Sequence, residues 1–279
     1  MRCILVFGIV GLGLMGGSFA KAIRKYNVSR KIIGYDLSKN NQKEALELNL
    51  VDELCNIEDL KQCDVVILAI PVDAIIAFLP NLIGCKKETT IIDFGSTKEL
   101  IVKNIPKEIK SNYIPAHPMT GTEKFGPSAA IDNLYENKIM VLCDIEKCKE
   151  SHKTKAIDIF TKINMNLVFM DSKEHDVHAC FISHLPHALS FSLANTVMSH
   201  EDPQNIISLA AGGFKDMSRI AKSSPAMWTD VFRQNKKNLL EAIELYEEQL
   251  SLFKSMIKED KYDEVYTLIK KANTLHKIL

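Results

Sequence analysis

Net charge is the first thing this chain of 279 residues lacks: 35 lysines and arginines meet 35 aspartates and glutamates. No global field therefore draws it to nucleic acid or to an anionic membrane surface. It also lacks paired cysteine motifs. Its seven cysteines are scattered as Cys3, Cys55, Cys63, Cys85, Cys143, Cys148 and Cys180, an odd number with no C-x-x-C. That pattern reads as reduced thiols in a cytoplasmic protein, and it argues against a disulfide framework. Long apolar runs are missing as well. The uncharged stretch 3–20 behind Arg2 mimics a signal peptide, but its five glycines between Gly8 and Gly17 are unwelcome in an apolar helix. No other stretch is apolar enough to span a bilayer, so no membrane partner is expected. Internal repeats and low-complexity segments are absent too.

What remains has ordinary globular composition, 46% hydrophobic and 25% charged. The first part alternates short apolar runs with helical patterns. Strands are expected at 3–10, 31–35, 64–70 and 90–94, and again at 138–142 and 166–170. Helices are expected at 16–25, 41–49 and 151–162. Strands alternating with helices imply parallel βαβ units and an open α/β sheet. From Ser172 onward only helical periodicity appears, with Ser172 a candidate N-cap after Asp171. The chain is thus expected to fold as a dinucleotide-binding domain over 1–171 and an all-helical domain over 172–279. In the second, Leu239, Ile243, Tyr246, Leu250, Phe253 and Ile257 follow a 4-3-4-3-4 spacing on one long helix. A shorter helix carries Val265, Leu268, Ile269, Ala272 and Leu275. Such stripes are covered either within one chain or by a second copy, and a homodimer through these helices is the favoured reading.

The sequence Gly11-Leu12-Gly13-Leu14-Met15-Gly16 is G-x-G-x-x-G between a predicted strand and a predicted helix, the context that gives the motif meaning. Gly11 permits a tight turn, Gly13 lets the backbone approach a pyrophosphate, and Gly16 allows close helix–strand packing. The helix N-terminus offers N–H groups and partial positive charge to phosphates. Asp36 ends the second strand, about 25 residues beyond Gly11, where a carboxylate accepts from ribose hydroxyls and repels a 2′-phosphate. NAD is therefore favoured over NADP, with Gly11, Leu12, Gly13, Met15, Gly16, Asp36, Ala69, Pro71 and Ser96 as candidate contacts.

Removing hydride from a carbinol also needs a base and anchors for the substrate. Two segments of the first domain are candidates: 92–98 (I-D-F-G-S-T-K), leaving a strand at its carboxyl end, and 116–123 (A-H-P-M-T-G-T-E), where His117 sits in a Pro/Gly-rich loop. His117 is either a general base or a histidine that shapes the loop. The second domain offers S-H-L-P-H at 183–187 and G-G-F-K-D-M-S-R at 212–219. After residue 30 the only arginines are Arg219 and Arg233. Arg219 beside a Gly-Gly turn suits bidentate carboxylate binding, with an ion pair to Asp216 as the alternative. His175, His178, His184 and His187 fall on one predicted helix. The nine-residue separations put the two halves of that set roughly half a turn out of phase, and no metal site is expected.

Together these segments resemble the prephenate dehydrogenases. The likeness rests on V-G-L-G-L-M-G-G-S (10–18), D-F-G-S-T-K (93–98), H-P-M-T-G-T-E (117–123), S-H-L-P-H-A (183–188), G-G-F-K-D-M-S-R-I-A (212–221) and P-A-M-W (225–228), in order and nearly throughout the chain. The resemblance implies NAD-dependent oxidative decarboxylation of prephenate to 4-hydroxyphenylpyruvate and CO2, in tyrosine biosynthesis. His117 would take the proton of the ring hydroxyl while hydride leaves the same carbon. Ser96 would lie beside His117, and His187 and Arg219 would hold the substrate. Thr122, Glu123 and Asp216 would border the pocket and interact with that arginine. Trp228 would lie near it, as would His184, with a packing role for His184, Lys98 and Trp228 an equal alternative. Thr97 and Thr120 depart from common family forms, and no fused mutase or regulatory domain is expected. Arogenate or dual specificity is the sister reading. A β-hydroxyacid dehydrogenase is more distant, because it would use a lysine base, and a non-catalytic NAD-binding regulator would need none of these groups.

Overall fold

The computed structural model describes residues 5–278. The first two residues of the strand expected over 3–10 lie outside the described residues. The chain divides into two compact units between Asn235 and Lys236.

The first unit is built on an eight-stranded sheet of order β3-β2-β1-β4-β5-β6-β7-β8. Its strands are β1 (Leu5–Val10), β2 (Ser29–Tyr35), β3 (Glu53–Leu54), β4 (Val65–Leu68), β5 (Thr90–Asp93), β6 (Tyr113–Pro118), β7 (Ile139–Cys143) and β8 (Asn166–Met170). All neighbours pair in parallel except β6 with β7. The order reverses between β1 and β4, as in a doubly wound dinucleotide fold. Helices α1 (Leu14–Lys25), α2 (Lys39–Glu47), α3 (Ile57–Leu60), α4 (Val72–Phe78), α5 (Glu99–Lys103) and α6 (Glu150–Lys162) lie between strands.

Period-two alternation sorts the strand residues to two cores. Phe7, Ile9, Val65, Ile67, Ile92, Ile114 and Ala116 face one side, where Phe19 and Ile23 of α1 and Ile159 and Phe160 of α6 close over them. Val10, Val66, Leu68, Ile91 and Tyr113 face the other, covered by Ile75 of α4 and Ile101 of α5. Central strands buried on both faces explain the unbroken apolar run Val65–Leu68.

After β8 only helices follow: α7 (Ser172–Ala179), a π turn over Cys180–His184, α8 (Leu185–His200), α9 (Pro203–Leu209), α10 (Gly212–Ser218) and α11 (Pro225–Gln234). α11 delivers Trp228 and Val231 to the second core. Asp171, not Ser172, caps α7: its carboxylate accepts from the N–H groups of Lys173 and Glu174, and Ser172 is the first helical residue. The second unit contains α12 (Lys236–Lys258) and α13 (Tyr262–Ala272), which pack on each other. Leu239 is buried, while Tyr246, Leu250 and Ile257 of the expected seam are exposed.

Two further expectations are corrected. The histidine segment was expected in a loop, yet His117 lies in β6. Pro115 and Pro118 disguise the strand, since proline is rare inside sheets. The four histidines were expected on one continuous helix, which the π turn interrupts.

Candidate active site

The parallel strands bring the glycine turn, residues 69–71, residues 94–98 and His117 to one carboxyl edge of the sheet, where ligands of open α/β sheets bind. Gly11 has φ +92°, and a Cβ there would sit 2.4 Å from the carbonyl oxygen of Ala69. A Cβ on Gly16 would meet the oxygen of Gly11 at 1.9 Å. Gly13 is different. The nearest atom to its Cβ position is the Gly126 nitrogen at 3.8 Å, so no protein group requires glycine there. Gly13 is also the N-cap of α1 and makes no side-chain cap bond, which leaves the first-turn N–H groups for an anion. The space before Gly13 is the cradle that a pyrophosphate needs.

Asp36 fastens this turn to the end of β2. Its Oδ2 accepts from the Leu12 N–H at 2.9 Å and its Oδ1 from the Ser38 N–H at 2.8 Å. The Ala69 N–H donates to Val10 at 2.7 Å, and the Met15 carbonyl accepts from the Tyr135 hydroxyl at 2.7 Å. Pro71 caps α4 from an exposed position. Gly11, Leu12, Gly16, Asp36 and Ala69 thus meet around one turn, with a carboxylate at the end of β2.

His117 is half-buried at the end of β6. Its Nδ1 lies 2.8 Å from Nε2 of His175, and Nδ1 of His175 lies 2.8 Å from Oδ1 of Asp176. The Asp176 carboxylate accepts further bonds from the backbone N–H groups of Lys98 and Glu99, at 2.7 and 2.9 Å. Lys98 itself is fully buried, paired with Asp93 and donating to the carbonyl of Ala116, the residue before His117, at 2.7 Å. Burial, together with the nearby His175, Lys98 and His184, holds His117 well below the ordinary imidazole range, so it stands neutral. Ser96 is half-buried in the same turn, and its main-chain carbonyl faces the ring of His184.

The π turn sets the remaining histidines. His184 is 1% exposed, and its Nδ1 accepts from Asn235 Nδ2 at 3.1 Å. The same Asn235 amide donates to the Asp176 carbonyl at 2.7 Å, so one side chain bridges α7 and the last residue of the π turn. His187, one turn on, donates from Nδ1 to the Ser183 carbonyl at 2.9 Å and stacks on buried Trp228. Burial holds His187 below its usual range, and the charge of Arg219 acts in the same direction, which places that cation in the neighbourhood of the ring. His178 points outward and pairs with Glu174.

Other sequence candidates are less engaged. Arg219 and Asp216 are exposed, and among the described residues no ion pair joins them. Thr122 is exposed and accepts from the Lys124 N–H at 3.3 Å, and Glu123 is half-buried. Their loop passes beside the glycine turn at Gly126. Sequence reasoning missed His175 as a partner of His117, and it missed Asp176 and Asn235. The run Glu174-His175-Asp176 reads as a polar helix face, and only the fold shows that two of the three point inward.

Sheet order and glycine turn together place the chain among dinucleotide-binding oxidoreductases. Family profiles narrow this. Residues 19–169 match the nucleotide-binding domain of prephenate dehydrogenase, and residues 171–271 match its dimerization domain. The prephenate dehydrogenase of Bacillus subtilis (strain 168) is 32% identical over 271 residues, covering 95% of this chain and 73% of its own length. The cyclohexadienyl dehydrogenase of Zymomonas mobilis is 30% identical, covering 89% of this chain and 87% of its own. A crystal structure of the A. aeolicus prephenate dehydrogenase, in complex with hydroxyphenyl propionate and NAD+, superposes with a TM-score of 0.91 at 32% identity, covering 98% of this chain and 97% of that one. The chain belongs to the prephenate dehydrogenase family.

Proposed function

We propose that this protein is an NAD-dependent prephenate dehydrogenase that converts prephenate to 4-hydroxyphenylpyruvate and CO2 in tyrosine biosynthesis. The observation that carries the reading is His117, held neutral at the carboxyl edge of the sheet with its Nδ1 committed to His175. That leaves Nε2 to take a proton from substrate. NAD, when bound, accepts the hydride from the ring carbon that bears the hydroxyl. The first-turn N–H groups of α1 and the space at Gly13 hold its pyrophosphate, and Asp36 reads its ribose. Ala69, Pro71 and Ser96 complete that wall. His117 removes the hydroxyl proton as the ketone forms. The ketone is conjugated to the carbon bearing the ring carboxylate, so loss of CO2 releases electrons into it and an aromatic ring results. Ser96 orients His117 and the hydroxyl. His187 and Arg219 bind substrate, Arg219 through a carboxylate, while Trp228 and His184 shape the wall behind them. Thr122, Glu123 and Asp216 border the entrance.

In this reading the dinucleotide half spans 1–171 and the substrate half 172–279. The protein works as a homodimer in the cytoplasm. The exposed apolar residues Leu250 and Ile257 of α12 support a second copy covering that stripe, and among the described residues no helix is long and apolar enough to cross a membrane.

The test is NADH formation by purified protein with NAD and prephenate, arogenate run in parallel, with the keto product identified. His117→Asn should leave both ligands bound and cut kcat by roughly 10²–10⁴. Turnover of arogenate alone would move the substrate to the amino analogue. Silence with both substrates would overturn the reading.

A further inference from the structure

With Asp176 a carboxylate and His175 a neutral imidazole, the chain His117–His175–Asp176 has one consistent arrangement of protons. Asp176 receives three donors: the Nδ1 side of His175 at 2.8 Å, and the backbone N–H groups of Lys98 at 2.7 Å and Glu99 at 2.9 Å. An ionised carboxylate only accepts, so the His175 proton facing it sits on Nδ1. A neutral His175 then presents a bare Nε2 to His117, 2.8 Å from Nδ1 of that ring. His117 must supply the proton of this bond, and its own Nε2 is left as the lone pair. The opposite arrangement would set the bare Nδ1 of His175 against a carboxylate, two acceptors face to face in a buried site. His175 and Asp176 are each 2% exposed, so water cannot relieve that clash.

We propose that His175 is a positioning residue which, anchored by Asp176, locks His117 in the tautomer that carries its proton on Nδ1 and points the basic Nε2 at substrate. The inference rests on the reading of His117 as the base. It adds a second task. When His117 takes the substrate proton at Nε2 it becomes an imidazolium, with Nδ1–H still donating to His175. That charge is met by a hydrogen-bonded chain ending in the buried carboxylate, and no proton has to reach Asp176. The same division of labour between base and orienting group operates in serine hydrolases, here with an imidazole inserted between the two.

The fold explains why the chain holds its geometry. Asp176 bonds the first residues of α5, His175 and Asp176 belong to α7, and His117 ends β6. Three elements converge, and Asn235 holds the Asp176 main chain from a fourth.

His175→Leu removes the acceptor for the His117 proton, and His175→Gln places an amide oxygen near the lost Nε2. His175→Leu should cut kcat about 10²-fold with KM for prephenate and affinity for NAD within about two-fold, while His175→Gln should recover most of that loss. Nitrogen-15 NMR of the histidine rings gives an independent readout on full-length protein. His117 should show the Nδ1–H tautomer in the unsubstituted enzyme and in His175→Gln, and a mixture in His175→Leu. An Nε2–H tautomer in the unsubstituted enzyme overturns the proposal even if His175→Leu fails to fold, and so does an unchanged kcat in His175→Leu. Failure of the base reading itself looks different: His117→Asn would keep its turnover while the tautomer pattern stood.

Discussion

The imidazole of His187 lies flat on the indole of Trp228, ring centroids 3.6 Å apart and planes 24° from parallel. Its Nδ1 donates to Ser183, so a neutral ring presents its Nε2 lone pair to whatever occupies the site. Trp228 therefore sets the plane of the His187 ring, the proposed substrate contact, as well as filling the second core. Trp228→Ala should open a cavity costing about 3–5 kcal/mol, seen as a lower Tm. Trp228→Phe should keep most of the stability and raise KM for prephenate, as should His187→Ala, by about ten-fold or more. An unchanged KM in His187→Ala would remove His187 from the binding site.

Two glycines of the turn should fail in different ways. Gly16→Ala puts a methyl group 1.9 Å from the Gly11 oxygen and should lower Tm or prevent folding. Gly13→Ala meets nothing closer than 3.8 Å and should fold with nearly unchanged Tm, yet raise KM for NAD by about ten-fold or more, because the methyl group fills the phosphate cradle. Titration of NAD against both variants, beside thermal melts, checks the contrast. Equal NAD affinity in Gly13→Ala would place the pyrophosphate elsewhere.

The pH dependence follows from the sign of the His117 shift. In the proposed mechanism the base form of His117 is the active one, and burial holds its pKa well below 6.5. Protonation, and with it loss of activity, should therefore begin only well below 6.5. A profile of kcat/KM against pH reads this free-enzyme value. An acid limb at or above the ordinary imidazole value would contradict the neutral state of His117.

His184 should make its own mark on stability. Burial pushes its pKa down to about 4, against 6.5 in an unfolded chain. The unfolded state then binds the proton first, so stability is full above 6.5 and is lost as pH falls toward 4. The loss amounts to about 3 kcal/mol once both states are protonated. Denaturant melts across that range should show the slope, and His184→Gln, which cannot titrate, should flatten it. Parallel slopes would assign the acid sensitivity to other groups.

Much of this was legible in the sequence because its signals were local. G-x-G-x-x-G between a strand and a helix, the apolar run ending at Leu68, and the switch to helical periodicity at 172 each belong to one short segment. What escaped was non-local. β6 carries Pro115 and Pro118 and is held as a strand by Asp93 and Pro118 pairings with its neighbours, which no window of the sequence contains. His175 and Asp176 read as a helix surface until β6 and α5 close over them. Where the chain divides also depends on the measure: family profiles part between residues 169 and 171, whereas spatial compactness parts the chain at Asn235, because α11 inserts Trp228 and Val231 into the core of the sheet.

The π turn at Cys180–His184 is in effect a spare residue kept in the backbone. Were one residue of it removed, everything beyond the deletion would rotate about the helix axis by roughly 100°. Asp176 would keep its place over α5, but His184 would swing off Asn235, and His187 would leave the face of Trp228. The irregular turn is therefore the phase adjuster of this helix: it lets a single run of chain turn His175 of its first half to His117 and His187 of its second half to Trp228.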